Sequence, residues 1–273
     1  MNHTLFDETD DELALRAEAE WLNPEDLHAQ VIDLDYGLAI LVDCSGGGST
    51  GDVVSHIATG AIYACMQQGM RDFDWSAQGE DTARIRAMML DAIGRARLRV
   101  AQLTSHGPRQ ECMATSMMIA LFHTDQAIVA HVGGALLYRM RDGRLKQLSR
   151  NDASQKKRNA DMLLSHEHGS FIGEQRRIPP RGESASVELE LDLTQPGDLY
   201  LLCSAEVPHM LSAEEIEALL CAYYDHPETA YAALMARVND HDAHHDSAII
   251  LVKLEPAATQ MTGFFGRIFS RHT

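Results

Sequence analysis

The chain has 273 residues, enough for one large core or two small domains, and its 45% apolar and 23% charged content is that of an ordinary globule. A formal charge of −17 excludes nucleic acid or an anionic membrane as the natural main partner, since both carry the same sign. The five cysteines (Cys44, Cys65, Cys112, Cys203 and Cys221) are odd in number, form no C-x-x-C pair and sit mostly in apolar runs. They read as reduced thiols of a cytoplasmic protein. The acidic opening residues do not make a signal peptide, and no apolar run has the length of a transmembrane segment.

In chain order, residues 1–20 are acid-rich and predict a loose tail or a frayed helix. Leu27 to Ile32 and Leu38 to Val42 read as strands joined by a turn over Asp33 to Gly37. Asp52 to Gln68 carries Val53, Val54, Ile57, Ala58, Ala61, Ile62 and Cys65 at helical spacing, and Asp81 to Leu103 repeats the pattern. The arginines of that second helix read as a solvated face.

From Met113 the rhythm shortens. Met117 to Phe122 and Ala127 to His131 form one strand pair, and Leu136 to Met140 and Leu145 to Leu148 flank an Asp142-Gly143 hairpin signal. The segment 151–186, rich in Lys, Arg, His and Gly, reads as a flap or insertion. Strands resume at Val187 to Leu193 and Leu199 to Cys203 around a Gln195-Pro-Gly-Asp198 turn. Ser212 and Glu215 predict a capping box on a helix through Cys221, Pro227 opens another to about Val238, and Ala248 to Leu254 closes the core as a strand. Two sheets face to face with helix pairs outside, in one domain, fit this order. The aromatic and basic stretch over 263–271 fits a terminus packed on its own domain or left loose, in preference to one that docks on a partner or a membrane surface.

Within this order Leu38 to Gly51 stands out: a buried apolar strand ends in Asp43, followed by Gly46, Gly47 and Gly48 and then a helix. A strand that delivers a carboxylate to a glycine turn suits a hard metal or a phosphate, although a strand-turn-helix junction without chemistry has the same look. A phosphate-cradling P-loop needs a lysine that is absent here. A cysteine phosphatase loop needs an arginine where Thr50 stands, so Cys44 reads as a small buried thiol.

Six segments in order resemble motifs of the PP2C (PPM) family of metal-dependent Ser/Thr protein phosphatases. They are Val42-Asp-Cys-Ser-Gly-Gly-Gly48, Met113-Ala-Thr-Ser116, Ala130-His-Val-Gly-Gly-Ala-Leu-Leu-Tyr-Arg139, Asp142-Gly-Arg-Leu-Lys-Gln-Leu-Ser-Arg150, Pro196-Gly-Asp-Leu-Tyr-Leu-Leu-Cys-Ser204 and Asp246-Ser-Ala-Ile-Ile-Leu-Val252. The resemblance covers roughly residues 23–254. It implies an α+β fold, a four-layer αββα sandwich of two antiparallel sheets flanked by helix pairs. It sets a phosphatase-like domain at 21–255, between an acidic tail at 1–20 and a C-terminal tail at 256–273. It further implies Mg²⁺ or Mn²⁺ as cofactor, in pairs that position a phosphate and activate water. Position by position, Asp43 matches the bridging aspartate, Cys44 the residue giving a backbone carbonyl, and Asp246 another metal ligand. Glu25 and Asp26 match an acidic pair more loosely, because Pro24 interrupts it.

The departures from the family pattern fall in the site. Ala205 and Glu206 replace an Asp-Gly pair, Gly134 replaces the aspartate associated with a third metal, and Ser247 replaces an asparagine. The phosphate-binding arginine falls near Glu20 or Trp21 and is missing. Losing a ligating acid costs metal affinity and losing the arginine removes a phosphate clamp. The expectation is a pseudophosphatase that binds a protein partner (a phosphoprotein, a kinase or an active phosphatase) without efficient dephosphorylation. The alternative is an active phosphatase with a rebuilt site, using Glu206 as a substitute ligand or the histidines of His241-Asp-Ala-His-His-Asp246 with Mn²⁺ or Zn²⁺. That run otherwise reads as a solvated polar loop. A third reading is a structural protein whose acidic surface is an assembly face.

Overall fold

The computed structural model describes residues 13–18, 28–45, 49–73, 81–104, 114–123, 125–149, 187–241 and 247–256. The strands among them are β1 (Leu13–Glu18), β2 (His28–Asp33), β3 (Leu38–Ser45), β4 (Ala114–His123), β5 (Gln126–Val132), β6 (Leu136–Arg141), β7 (Arg144–Gln147), β8 (Glu188–Leu193), β9 (Leu199–Cys203) and β10 (Ile249–Pro256). They pair into two antiparallel sheets, one ordered β2-β3-β4-β5-β8 and the other β1-β10-β9-β6-β7.

Strand alternation builds three cores at once. On β3, Leu38, Ile40, Val42 and Cys44 face one way and Ala39 and Leu41 the other. The first set packs under helices α1 (Ser49–Arg71) and α2 (Asp81–Thr104). The α1 side of that core is a strict four-residue ladder, Val54, Ala58, Ile62, Met66 and Met70, all at 1% exposure or less. Burying a side chain of this size stabilises by roughly 1.5–3 kcal/mol. The buried stripe is narrower than the spacing predicts, for Val53 points outward at 54% exposure. Of the α2 arginines expected to make a solvated face, Arg84, Arg95 and Arg99 are exposed, whereas Arg86 and Arg97 are half-buried.

The second strand set faces the other sheet. Leu41, Met118, Phe122 and Val129 meet Leu137, Tyr200, Leu202 and Ile250 there. The Phe122 and Tyr200 rings meet edge to face with centroids 5.1 Å apart. The outer face of the second sheet is covered by α3 (Val207–Met210), α4 (Ala213–Ala222) and α5 (Pro227–His241), through Val207, Ile216, Leu220, Leu234 and Val238. Helices, sheet, sheet, helices is the four-layer α+β sandwich expected.

Local chemistry sets several boundaries. The β6–β7 hairpin turns on Asp142 (φ 52°) and Gly143 (φ 72°), the left-handed pair that matches strand twist. Ser212 caps α4 reciprocally: its hydroxyl accepts from the Glu215 N–H and its own N–H donates to the Glu215 carboxylate.

One expectation needs correction, and one element was not predicted. The loose tail over 1–20 is in part a strand, since Leu13–Glu18 pairs antiparallel with β10. Its Leu13-Ala-Leu-Arg-Ala-Glu18 alternation is short and surrounded by acids, which hides it in the sequence. The short helix α3, between Cys203 and the capping box, carries too few residues to show a period. The flap over 151–186, Cys112 and the stretch 257–273 lie outside the described residues.

Candidate functional site

Alternation along β3 decides where Asp43 points. Val42 and Cys44 belong to the helix-covered core, so Asp43 faces the gap between the sheets, at 3% exposure and at the end of the strand. Cys44, the matching backbone donor, keeps its thiol wholly buried under α1 and α2. Direct cross-strand pairing places Ser116 of β4 beside Asp43 on the same face.

From Ser116 the site crosses to the other sheet. The Ser116 hydroxyl accepts from the Gly134 N–H at 3.0 Å. Gly133 has φ 87°, and a Cβ there would lie 2.7 Å from the Ser116 hydroxyl, so the turn after β5 admits only glycine at this approach. A Cβ on Gly134 would fall 2.7 Å from the Cβ of Ala205, the residue two past the end of β9. Ser204 is locked to the start of β10: its N–H donates to the Ala248 carbonyl at 3.0 Å and its hydroxyl accepts from the Ala248 N–H at 3.2 Å. Asp43, Ser116, Gly134 and Ala205 thus form one line across the mouth of the sandwich.

Glu206 opens α3, half-buried, one residue past Ala205. The Cys203 thiol is pushed far above its ordinary range, first by complete burial and then by the Glu206 carboxylate. Asp246, Glu25 and Asp26 lie outside the described residues. Among the described residues, neither Asp43 nor Glu206 belongs to a three-donor group of metal-ligating side chains.

Two polar features of the inter-sheet face were not singled out from sequence. The first is a buttress at the far end of the cleft. Arg139 donates to both oxygens of Asp192 at 2.7 and 2.8 Å, the Tyr200 hydroxyl donates to Asp192 at 2.7 Å, and Arg141 grips both oxygens of Asp198 at 2.6 Å. This ties β8 of one sheet to β6 and β9 of the other. The second brings His131, Glu188 and Glu190 together, with donor atoms all within 4.8 Å of one another. The signal for both was present in the V-E-L-E-L-D-L run over 187–193, where every second residue is acidic.

The four-layer architecture is the fold of the PP2C (PPM) Ser/Thr phosphatases. No protein-family model matches the sequence, and no curated protein gives a significant sequence match. Solved structures do match. The Mycobacterium tuberculosis serine/threonine phosphatase PstP/Ppp is 22% identical with a TM-score of 0.64, over 90% of this chain and 99% of that one. A structure of the PstP catalytic domain in complex with two manganese ions is 20% identical at 0.63, over 90% and 98%. PppA, a regulatory component of the type VI secretion system (T6SS) in Pseudomonas aeruginosa, is 18% identical at 0.65, over 91% and 98%. Among the described residues, no helix is long and apolar enough to cross a membrane.

Proposed function

We propose that this chain is a pseudophosphatase, a cytoplasmic PP2C-fold protein that binds a protein partner (a phosphoprotein, a kinase or an active phosphatase) without efficient dephosphorylation. The observation that carries the reading is the contact between positions 134 and 205. Both hold carboxylates in the family pattern, and here a bare glycine backbone sits against an alanine methyl, with 2.7 Å left for any added Cβ. A paired Mg²⁺ or Mn²⁺ centre needs several oxygen ligands around near-octahedral ions. Asp43, the Cys44 carbonyl and Asp246 are the closest matches left, supplemented by the looser Glu25 and Asp26. The set lacks the acid that the family pattern carries at position 205, and a missing ligating acid costs metal affinity.

What remains fits recognition. The Ser116–Gly134 hydrogen bond and the Ser204–Ala248 pair brace the mouth, and such a surface can dock a peptide without chemistry. The test is hydrolysis of a phosphoserine peptide in Mg²⁺, Mn²⁺ and Zn²⁺ by the wild type and by Asp43→Ala, with peptide binding followed in parallel. The expected result is a rate at the buffer level in both proteins. Metal-dependent turnover that Asp43→Ala abolishes would establish the rebuilt-site enzyme instead.

A further inference from the structure

Outside the family site, one cluster combines a buried imidazole with two carboxylates. His131 lies on β5 opposite Glu188 of the edge strand β8, and Glu190 follows two residues on, opposite Val129. Period-two alternation therefore puts all three side chains on the inter-sheet face. His131 is 2% exposed, yet neither of its ring nitrogens has a hydrogen-bond partner. Its Nε2 faces Glu188 Oε2 at 3.8 Å, beyond hydrogen-bond range. An imidazole taken out of water with no partner forfeits the hydrogen bonds it made to water.

We propose that His131, Glu188 and Glu190 form a binding site for a transition-series divalent cation of the zinc class, which clamps the edge strand β8 onto β5. The donor set is one nitrogen and two carboxylate oxygens, which suits zinc or cobalt better than calcium or magnesium. Donor atoms around a four-coordinate ion lie roughly 3.3–3.5 Å apart, so the present 4.8 Å limit closes with small rotations of the glutamate side chains. Three protein ligands leave a fourth position for water. Burial keeps the imidazole neutral at pH 7, the ligating form, by pushing its pKa down to about 4. The site is separate from Asp43. Two strand spacings and one two-residue step put the two Cα atoms ~12 Å apart.

The experiment is calorimetric titration of the chelator-stripped full chain with Zn²⁺, and with Co²⁺ as a visible-absorption probe. One equivalent is expected to bind with the intense absorption of four-coordinate cobalt. Glu188→Gln with Glu190→Gln is expected to weaken binding by ~100-fold or more while the metal-free melting temperature holds. Asp43→Asn is expected to leave this affinity in place. Should the double variant fail to fold, an anomalous difference map of the zinc-soaked wild type decides, with a peak about 2.0–2.1 Å from a His131 nitrogen expected. Absence of binding, or binding that Asp43→Asn removes and the glutamine pair retains, overturns the proposal.

Discussion

Adding a methyl at Gly134 tests the contact on which the functional reading stands. Its backbone φ is not in the left-handed region, so alanine is conformationally allowed and the cost is steric. The new Cβ would meet the Ala205 Cβ at 2.7 Å, where ordinary contacts begin near 3.4 Å. Neither atom is the end of a flexible chain, so the β5–β6 turn or the β9–α3 turn must move by several tenths of an ångström. Overpacking of this kind costs about 1–3 kcal/mol, offset by ~0.4–1 kcal/mol from the stiffer unfolded chain, so Gly134→Ala is expected to destabilise by about 1–2 kcal/mol. Ala205→Gly alone costs roughly 1 kcal/mol in half-buried methyl and backbone freedom. Combining the two moves the methyl from one side of the contact to the other, so the double variant should be more stable than the sum by about 1–2 kcal/mol. Urea unfolding at constant slope measures each corner of the cycle. Strict additivity, or a neutral Gly134→Ala, would show that the two positions do not touch and would remove the argument against an acid at 134.

The remaining expectations concern the rest of the cleft. Asp192→Asn leaves Arg139 without its bidentate partner between the sheets and should cost about 2–3 kcal/mol in urea midpoint analysis, whereas Tyr200→Phe, which removes one donor, should cost about 1 kcal/mol. Stability should also fall on the alkaline side. Burial raises Cys203, Tyr138 and Tyr200 above their ordinary 9.0, 10.0 and 10.0, so the unfolded chain loses these protons first. Their contribution is fully present below pH 9 and is lost as pH rises, at ~1.4 kcal/mol per pH unit for each ionising group. Unfolding series from pH 8 to 11 should show that slope, shallower above pH 10 in Tyr200→Phe; a pH-independent midpoint would contradict it.

Much of the scaffold was legible because its signals are local. The Asp142-Gly143 turn, the Ser212–Glu215 capping box and the apolar runs of β3 to β6 each specify backbone geometry within a few residues. Val54, Ala58 and Ile62 of the α1 ladder were visible too, but Met66 and Met70 were not picked out, nor which neighbours would face solvent, since Val53 and Val54 look alike until a sheet covers one of them. The strand β1 was missed because pairing with β10, more than 200 residues away, defines it, and no local turn does. At the candidate site, Asp43 was read from its place at a strand end, and its burial follows from alternation. The contact of Gly134 with Ala205 joins two sheets and has no sequence signature. The same holds for His131. As one polar residue in an apolar strand it looks like a core histidine, and only registry with Glu188 reveals the donors beside it.

A pseudophosphatase holds no pair of divalent ions at the mouth of the sandwich. Anomalous diffraction from a crystal soaked in manganese measures this directly. No pair of peaks is expected beside Asp43, whatever single ion His131 holds. Two manganese ions a few ångströms apart, one ligated by the Asp43 carboxylate, would contradict it.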